Sequence, residues 1–329
     1  MSAPLIELDD VHKHYKQNRK SIFYHPPVVK AMNGVSFTLK RGESFGLVGE
    51  SGSGKSTTGQ VILQLLKQTS GSIKYKGKDV TTFTKKQLKE WRKNVQIVFQ
   101  DPYSSLNPKK TIEWILHEPL TIHNIGDKAF RDKRILETIE DVGLDASFLD
   151  RYPHQLSGGQ RQRVAIASAL ILEPEFIVID EGVSALDVSV QAQILNLLNK
   201  LKDKYTLTYL FISHDLNVVQ YFCDRIAIMY LGEIVEMGKT EHIGAKPKHP
   251  YAEALFSAIP HMESVQGHVP LKGDIPDPSN PPHGCPFHTR CVKATDICAE
   301  VRPQPVQWNE SYQVKCHLYK QAEKVKVTS

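Results

Sequence analysis

The sequence predicts an α/β fold: a mainly parallel sheet, a helical insertion within it, and a loop-rich appendage after it. Three observations carry this expectation. Short apolar runs that fit buried strands alternate with helix-patterned stretches. From Asp101 to about Pro153 the strand pattern lapses and helical spacing takes over. Near residue 240 the composition changes, and Pro270, Pro276, Pro278, Pro281, Pro282 and Pro286 crowd a stretch that neither a helix nor a central strand accommodates.

Taken in order, Leu5 to Leu8 and Val35 to Leu39 alternate as strands do, and Glu43 to Val48 is a short apolar strand. Lys55 to Leu66 reads as a helix with Val61, Ile62, Leu65 and Leu66 on one face. Val95 to Phe99 is a buried strand that delivers Gln100. After the insertion, Arg161 to Leu172 is helix-patterned, and strands resume at Phe176 to Ile179, Thr208 to Ile212 and Arg225 to Met229. Gly232 to Gly238 closes the series as one arm of a hairpin. No internal repeat is visible.

The composition narrows the class of protein. Over 329 residues, charged residues make up 23% and hydrophobic ones 40%, as in ordinary globular proteins. No run approaches 18 apolar residues, and Met1 to Glu7 lacks a basic-then-apolar leader, so a cytoplasmic chain is expected. The net charge of +5 is mild. Lys85, Lys86, Lys89, Arg92 and Lys93 cluster at spacings suited to an exposed helix face, with no accompanying reading motif, so no nucleic-acid partner is expected.

The chemistry-bearing residues come in a fixed order. Gly49 to Ser56 fits the phosphate-binding pattern G-x-x-x-x-G-K-[ST]. Gly49, Gly52 and Gly54 let backbone N–H groups surround phosphates, with the helix starting near Lys55 adding its positive end. Lys55 is placed to reach the β- and γ-phosphates of ATP, and the Ser56 hydroxyl to ligate Mg²⁺. Asp180 and Glu181 emerge at the carboxyl end of a buried strand, the edge at which open α/β sheets bind ligands. Asp180 suits Mg²⁺, and Glu181, aimed elsewhere, suits the polarisation of an attacking water. Leu156 to Gln160 places Ser157, Gly158 and Gly159 at a helix N-terminus, a second anion site. Within one chain that site is redundant; against nucleotide held by another subunit it is not.

These motifs together resemble the ATPase subunit of an ABC transporter. The resemblance implies a P-loop NTPase cassette, with a RecA-like core, an antiparallel β subdomain and a helical subdomain over about 101–163. It also implies two subunits facing head to tail around two ATP molecules. On it, Glu50, Ser51, Ser53 and Thr57 join the ATP-binding set, and Gln100 relays between Mg²⁺ and the transmembrane partner. Ser157, Gly158, Gly159 and Gln160 act on the partner's ATP, and His214 becomes the γ-phosphate switch. Ser184 to Asp187 becomes the loop that joins the subunits, and Tyr15 the aromatic stacked on adenine. One departure is visible: the family's Asp-Glu-Pro reads Asp180-Glu181-Gly182 here.

Four of five cysteines lie near the end of the chain: Cys285, Cys291, Cys298 and Cys316. Their spacing lacks the C-x2-C knuckles of structural zinc and suits a [4Fe–4S] cluster, with Zn²⁺ the alternative, aided by His283, His288 or His317. The cysteines lie far in sequence from the ATP motifs, and loss of the cluster in Cys291→Ser is expected to leave the isolated ATP site competent. Cys223 reads as plain core. The segments Lys248 to Pro260 and Pro281 to Cys291, with Gln100 to Pro108, resemble the ATPases of bacterial oligopeptide and dipeptide importers. The insertion Gln17 to Val29 resembles the F-type member of a D/F pair. The expected organisation is therefore a cassette over 1–240 and an extension over 241–329. The resemblance implies a D-type ATPase partner, two permease subunits, a substrate-binding protein and a place at the cytoplasmic face of the membrane. A nickel importer or a non-transport ABC ATPase remains open at this point.

Overall fold

A computed structural model describes residues 3–16, 28–182, 186–259, 271, 273–309 and 312–319. The chain begins with β1 (Ile6–Lys16), β2 (Val28–Leu39), β3 (Ser44–Val48), α1 (Lys55–Ile62), β4 (Ser70–Tyr75) and β5 (Lys78–Asp79). Then come α2 (Lys85–Asn94), β6 (Val95–Val98), α3 (Pro102–Ser105), α4 (Ile112–Ile122), α5 (Lys128–Asp141), α6 (Gly158–Leu170) and β7 (Phe176–Asp180). They are followed by α7 (Val188–Tyr205), β8 (Thr208–Ser213), α8 (Leu216–Phe222), β9 (Arg225–Tyr230) and β10 (Glu233–Lys239). The chain continues through α9 (Thr240–Ala245), α10 (Pro250–Ser257), α11 (Asp296–Glu300), β11 (Val306–Asn309) and β12 (Tyr312–Val314). Among the described residues no helix is long and apolar enough to cross a membrane.

The chain forms two compact units. The first comprises 1–6, 39–44 and 75–212; the second comprises 7–38, 45–74 and 213–329. In the first unit β7 lies between β6 and β8, all parallel, with Val98 opposite Ile179 and Asp180 opposite Ile212. Every residue of β7 and β8 is buried, which explains why both read as unbroken apolar runs. The expected helical insertion is present, with α4, α5 and α6 packed on one another. Its apolar stripe includes Ile112, Leu116, Leu120, Ile135 and Ile139, all buried.

In the second unit β3 runs parallel to β9, with Val48 opposite Ile228. β9 turns back through Leu231 and Gly232 into antiparallel β10, as the hairpin pattern predicts. The α1 helix is a turn shorter than expected. Gln64 adopts a left-handed conformation, φ 55°, which ends the helix before Leu65 and Leu66. Cys223 is buried at the end of α8, as expected of a core thiol.

The appendage is more regular than its prolines suggest. β11 and β12 form a hairpin, and β12 pairs antiparallel with β10, Glu236 opposite Val314. His249 caps α10 with its Nδ1, accepting from Tyr251 N–H at 3.1 Å, and complete burial pushes its pKa down to about 3. A neutral acceptor nitrogen is what that cap requires. Of the sequence features read above, most of the Gln17 to Val29 insertion, Ser184, Ala185, Pro260 and Pro270 lie outside the described residues.

Candidate functional site

In the second unit, β3 delivers Gly49 into a tight turn that ends at α1. Gly54, at φ 105°, is the residue before the helix, and a Cβ there would meet the Ala31 carbonyl oxygen at 2.0 Å. A Cβ on Gly49 would meet the Met229 carbonyl oxygen at 2.2 Å. Only glycine fits at these two positions, so the backbone pattern of the motif has a steric cause. Lys55 is 4% exposed and its Nζ donates to the carbonyls of Gly49 at 2.8 Å and Glu50 at 2.9 Å. The Ser53 hydroxyl is buried without a hydrogen-bond partner among the described residues, a polar atom that a bound ligand would satisfy. Ser51 and Gly52 lie on the turn, and Ser56 and Thr57 open α1. A glycine-shaped turn, a buried ammonium and a helix start make a phosphate cradle in chemical terms.

The first unit holds the acidic pair. Asp180 ends β7 and is 8% exposed. Glu181 follows in the left-handed region, φ 51°, its N–H bound to the Ile212 carbonyl at 2.9 Å. That conformation, rare in a residue with a side chain, turns Glu181 away from the strand direction and is a strain typical of functional positions. Gln100, just beyond β6, donates through Nε2 to Glu181 Oε2 at 2.8 Å. Two residues read separately from the sequence thus meet. Gly182 has a reason too: a Cβ there would sit 3.0 Å from Gln162 Nε2 and 3.1 Å from Ile179 Cγ2. Gln162 is itself buried, so a side chain at 182 would require a packed neighbour to shift.

Also in the first unit, Ser157 caps α6. Ser157 N–H donates to Gln160 Oε1 at 2.9 Å, and Gln160 N–H donates to Ser157 Oγ at 3.4 Å. The helix starts at Gly158, three residues before the expected Arg161, because this reciprocal cap draws both glycines into the first turn. A cleft of about 540 Å³ is lined by Ser157, Gly158, Gly159 and Gln160 together with Leu186 and Asp187. In the second unit His214 follows β8 and is exposed, and Tyr15, near the end of β1, is 38% exposed rather than core.

The four C-terminal cysteines gather in the second unit. Cys285 N–H donates to the Cys298 carbonyl at 2.8 Å, and each thiol lies within electrostatic range of the other three. Burial, then the neighbouring thiols, pushes Cys285 up to about 12 and Cys316 up to about 11. Such thiols stay protonated unless a cation compensates their charge. Among the described residues, no three ligand atoms here lie within 4.8 Å of one another. A tetrahedral zinc with Zn–S of about 2.3 Å would bring sulfurs to about 3.8 Å, so this set is more open than a zinc knuckle. The sequence reading missed what stands beside it: Arg290 and Tyr251 both bind Glu50 of the phosphate cradle. Through these two contacts the extension touches the phosphate cradle. An arginine directly beside a candidate ligand, Cys291, was the available signal.

Comparison with known proteins decides the family. Residues 32–184 match the ABC transporter model, and residues 235–298 match the C-terminal region of oligopeptide/dipeptide transporters. The oligopeptide transport ATP-binding protein AppF of Bacillus subtilis is 48% identical over 321 residues, 96% of this chain and 97% of that protein. The chain belongs to the ABC transporter ATP-binding proteins of the oligopeptide/dipeptide type. Another relative in this family, the dipeptide transport ATP-binding protein DppF of Haemophilus influenzae, is 46% identical, covering 96% of this chain and 97% of that protein. Among solved structures, cbiO1 of Clostridium perfringens, part of the ABC transporter complex cbiONQ, matches with TM-score 0.64 at 25% identity. It covers 74% of this chain and 92% of that one. The ATP-binding cassette MJ0796, in a dimeric post-hydrolysis state with ADP and Pi, matches with TM-score 0.62 at 32% identity over 71% of this chain and 98% of that one. As an ABC ATPase subunit, the chain carries the α/β cassette fold that its motifs predict.

Proposed function

We propose that this chain binds and hydrolyses ATP at a head-to-tail dimer interface and thereby drives peptide import through partner membrane subunits. The observation that carries the reading is the joint match to an ABC cassette and to the oligopeptide-type C-terminal region, in relatives that span nearly the whole chain. The cassette occupies 1–240 and the extension 241–329, and the subunit sits peripherally on the cytoplasmic face of the membrane.

In this reading Gly49 to Thr57 cradle the phosphates, and Lys55 leaves the carbonyls it now binds to neutralise the β- and γ-oxygens. Ser56, Asp180 and Gln100 would hold Mg²⁺, which when bound would supply charge neutralisation for phosphoryl transfer. Glu181 accepts a proton from the attacking water, oriented by the hydrogen bond from Gln100. His214 contacts the γ-phosphate, and Tyr15 stacks on adenine. Ser157 to Gln160 and Asp187 close over ATP held by the second subunit; they line one cleft. That second subunit is a D-type ATPase, as the F-type insertion suggests. The test is the intact transporter purified from its own operon. It should contain two different ATPase chains and two permeases, and its hydrolysis should rise with the peptide-loaded binding protein. Recovery of this chain as the sole ATPase would remove the pairing, and indifference to peptide would remove the substrate class.

Cys285, Cys291, Cys298 and Cys316 hold a [4Fe–4S] cluster in this reading, which supplies four-point cross-linking to a stretch with little regular hydrogen bonding. Four cysteines without C-x2-C knuckles in a proline-rich stretch support it over zinc. Anaerobically purified protein should be brown and contain about four irons per chain; one zinc and no iron would refute the cluster.

A further inference from the structure

Glu50 is the second residue of the phosphate cradle and carries a carboxylate where polyphosphate must bind. A bare carboxylate there would repel the ligand. It is not bare. Arg290 grips it with both fork nitrogens, Nη1 to Oε2 at 2.7 Å and Nη2 to Oε1 at 3.1 Å. The Arg290 side chain is 5% exposed and that of Glu50 24%, so solvent screens this pair weakly. Glu50 is fixed at two further points. Its N–H donates to the Tyr251 hydroxyl at 2.9 Å, and its carbonyl accepts from Lys55 at 2.9 Å. Behind these contacts the rings of Tyr230, Tyr251 and Phe287 pack at centroid distances of 4.7 to 5.3 Å, all three buried.

The local chain ties Arg290 to the cysteines. It ends a single tight turn, His288–Arg290, bracketed by Cys285 and Cys291. His288 N–H donates to the Cys285 carbonyl at 3.1 Å, and Cys291 N–H to the His288 carbonyl at 3.3 Å. Whatever fixes the two thiols fixes the turn that aims the guanidinium. We propose that Arg290 is a positioning residue for nucleotide. It neutralises and orients Glu50, and metal at the cysteine site acts on ATP affinity through it. The second part rests on the reading of the cysteines as metal ligands.

The test uses the full-length chain, with Mg-ATP affinity measured by calorimetry and metal content measured on the same samples. Arg290→Met should weaken ATP binding about tenfold with metal content unchanged, and Arg290→Lys should recover part of the loss, a point charge replacing the fork. In a Glu50→Gln background, where no charge needs neutralising, Arg290→Met should change affinity less than about twofold. Affinity within twofold of the parent for Arg290→Met, or an undiminished loss in the Glu50→Gln background, would overturn the positioning role. If Arg290→Met does not fold, Arg290→Lys in the two backgrounds makes the same comparison. Cys298→Ser, which removes a thiol but keeps the carbonyl that Cys285 N–H binds, should lose metal and weaken ATP binding comparably, with no further loss on adding Arg290→Met. Metal lost with ATP affinity intact would overturn the transmission alone. A parent chain free of metal would overturn the cysteine reading and leave the Arg290–Glu50 comparison to stand on its own result.

Discussion

Glu181→Gln will retain ATP binding and reduce turnover by about 10²- to 10⁴-fold, the usual contribution of a positioned general base. The substitution is close to silent in structural terms. Glutamine keeps an amide oxygen that can accept from Gln100 Nε2, so the 2.8 Å contact survives. Its backbone N–H still reaches the Ile212 carbonyl. What it lacks is a basic oxygen to take the proton of water. Binding and closure are therefore preserved while the step that reopens the dimer is not, and an ATP-bound dimer should accumulate. Single-turnover hydrolysis and size-exclusion chromatography with ATP check both halves. Hydrolysis near the parent rate would remove Glu181 from the role.

Lys55→Ala should fail earlier in the cycle. The ammonium is buried, and it lies within hydrogen-bond reach of two cradle carbonyls. Truncating one member of a desolvated, hydrogen-bonded charge pair costs about 2 to 5 kcal/mol, so nucleotide affinity should fall by at least about 30-fold. The two variants separate binding from chemistry. Direct titration with nucleotide will show Glu181→Gln near the parent and Lys55→Ala far from it. Equal affinities for the two would contradict the assignment of Lys55 to the phosphates.

What the sequence made legible follows the range of the forces involved. β7 and β8 are buried along their whole length, and such strands must be apolar throughout, so their limits were read to within a residue. The start of α6 is set by residues three apart, Ser157 and Gln160, and so is also a local signal. By contrast, the β11–β12 hairpin is short and exists because β10 offers it an edge, which nothing in its own residues announces. The Arg290–Glu50 pair joins positions 240 residues apart. Periodicity is blind at that separation, and the bland reading of a lone arginine is a solvated one. The left-handed backbone at Glu181 was equally hidden, since glutamate has no preference for it.

That backbone conformation sets natural selection for folding against natural selection for work. A left-handed residue with a side chain is disfavoured by about 1–2 kcal/mol, and glycine at 181 would relieve it while deleting the carboxylate. Mutational drift that feels only stability therefore has a downhill route to a well-folded subunit that no longer turns over. In the proposed role, selection for hydrolysis rather than for folding keeps a glutamate in this turn, and a glycine there would mark a subunit that binds ATP without hydrolysing it.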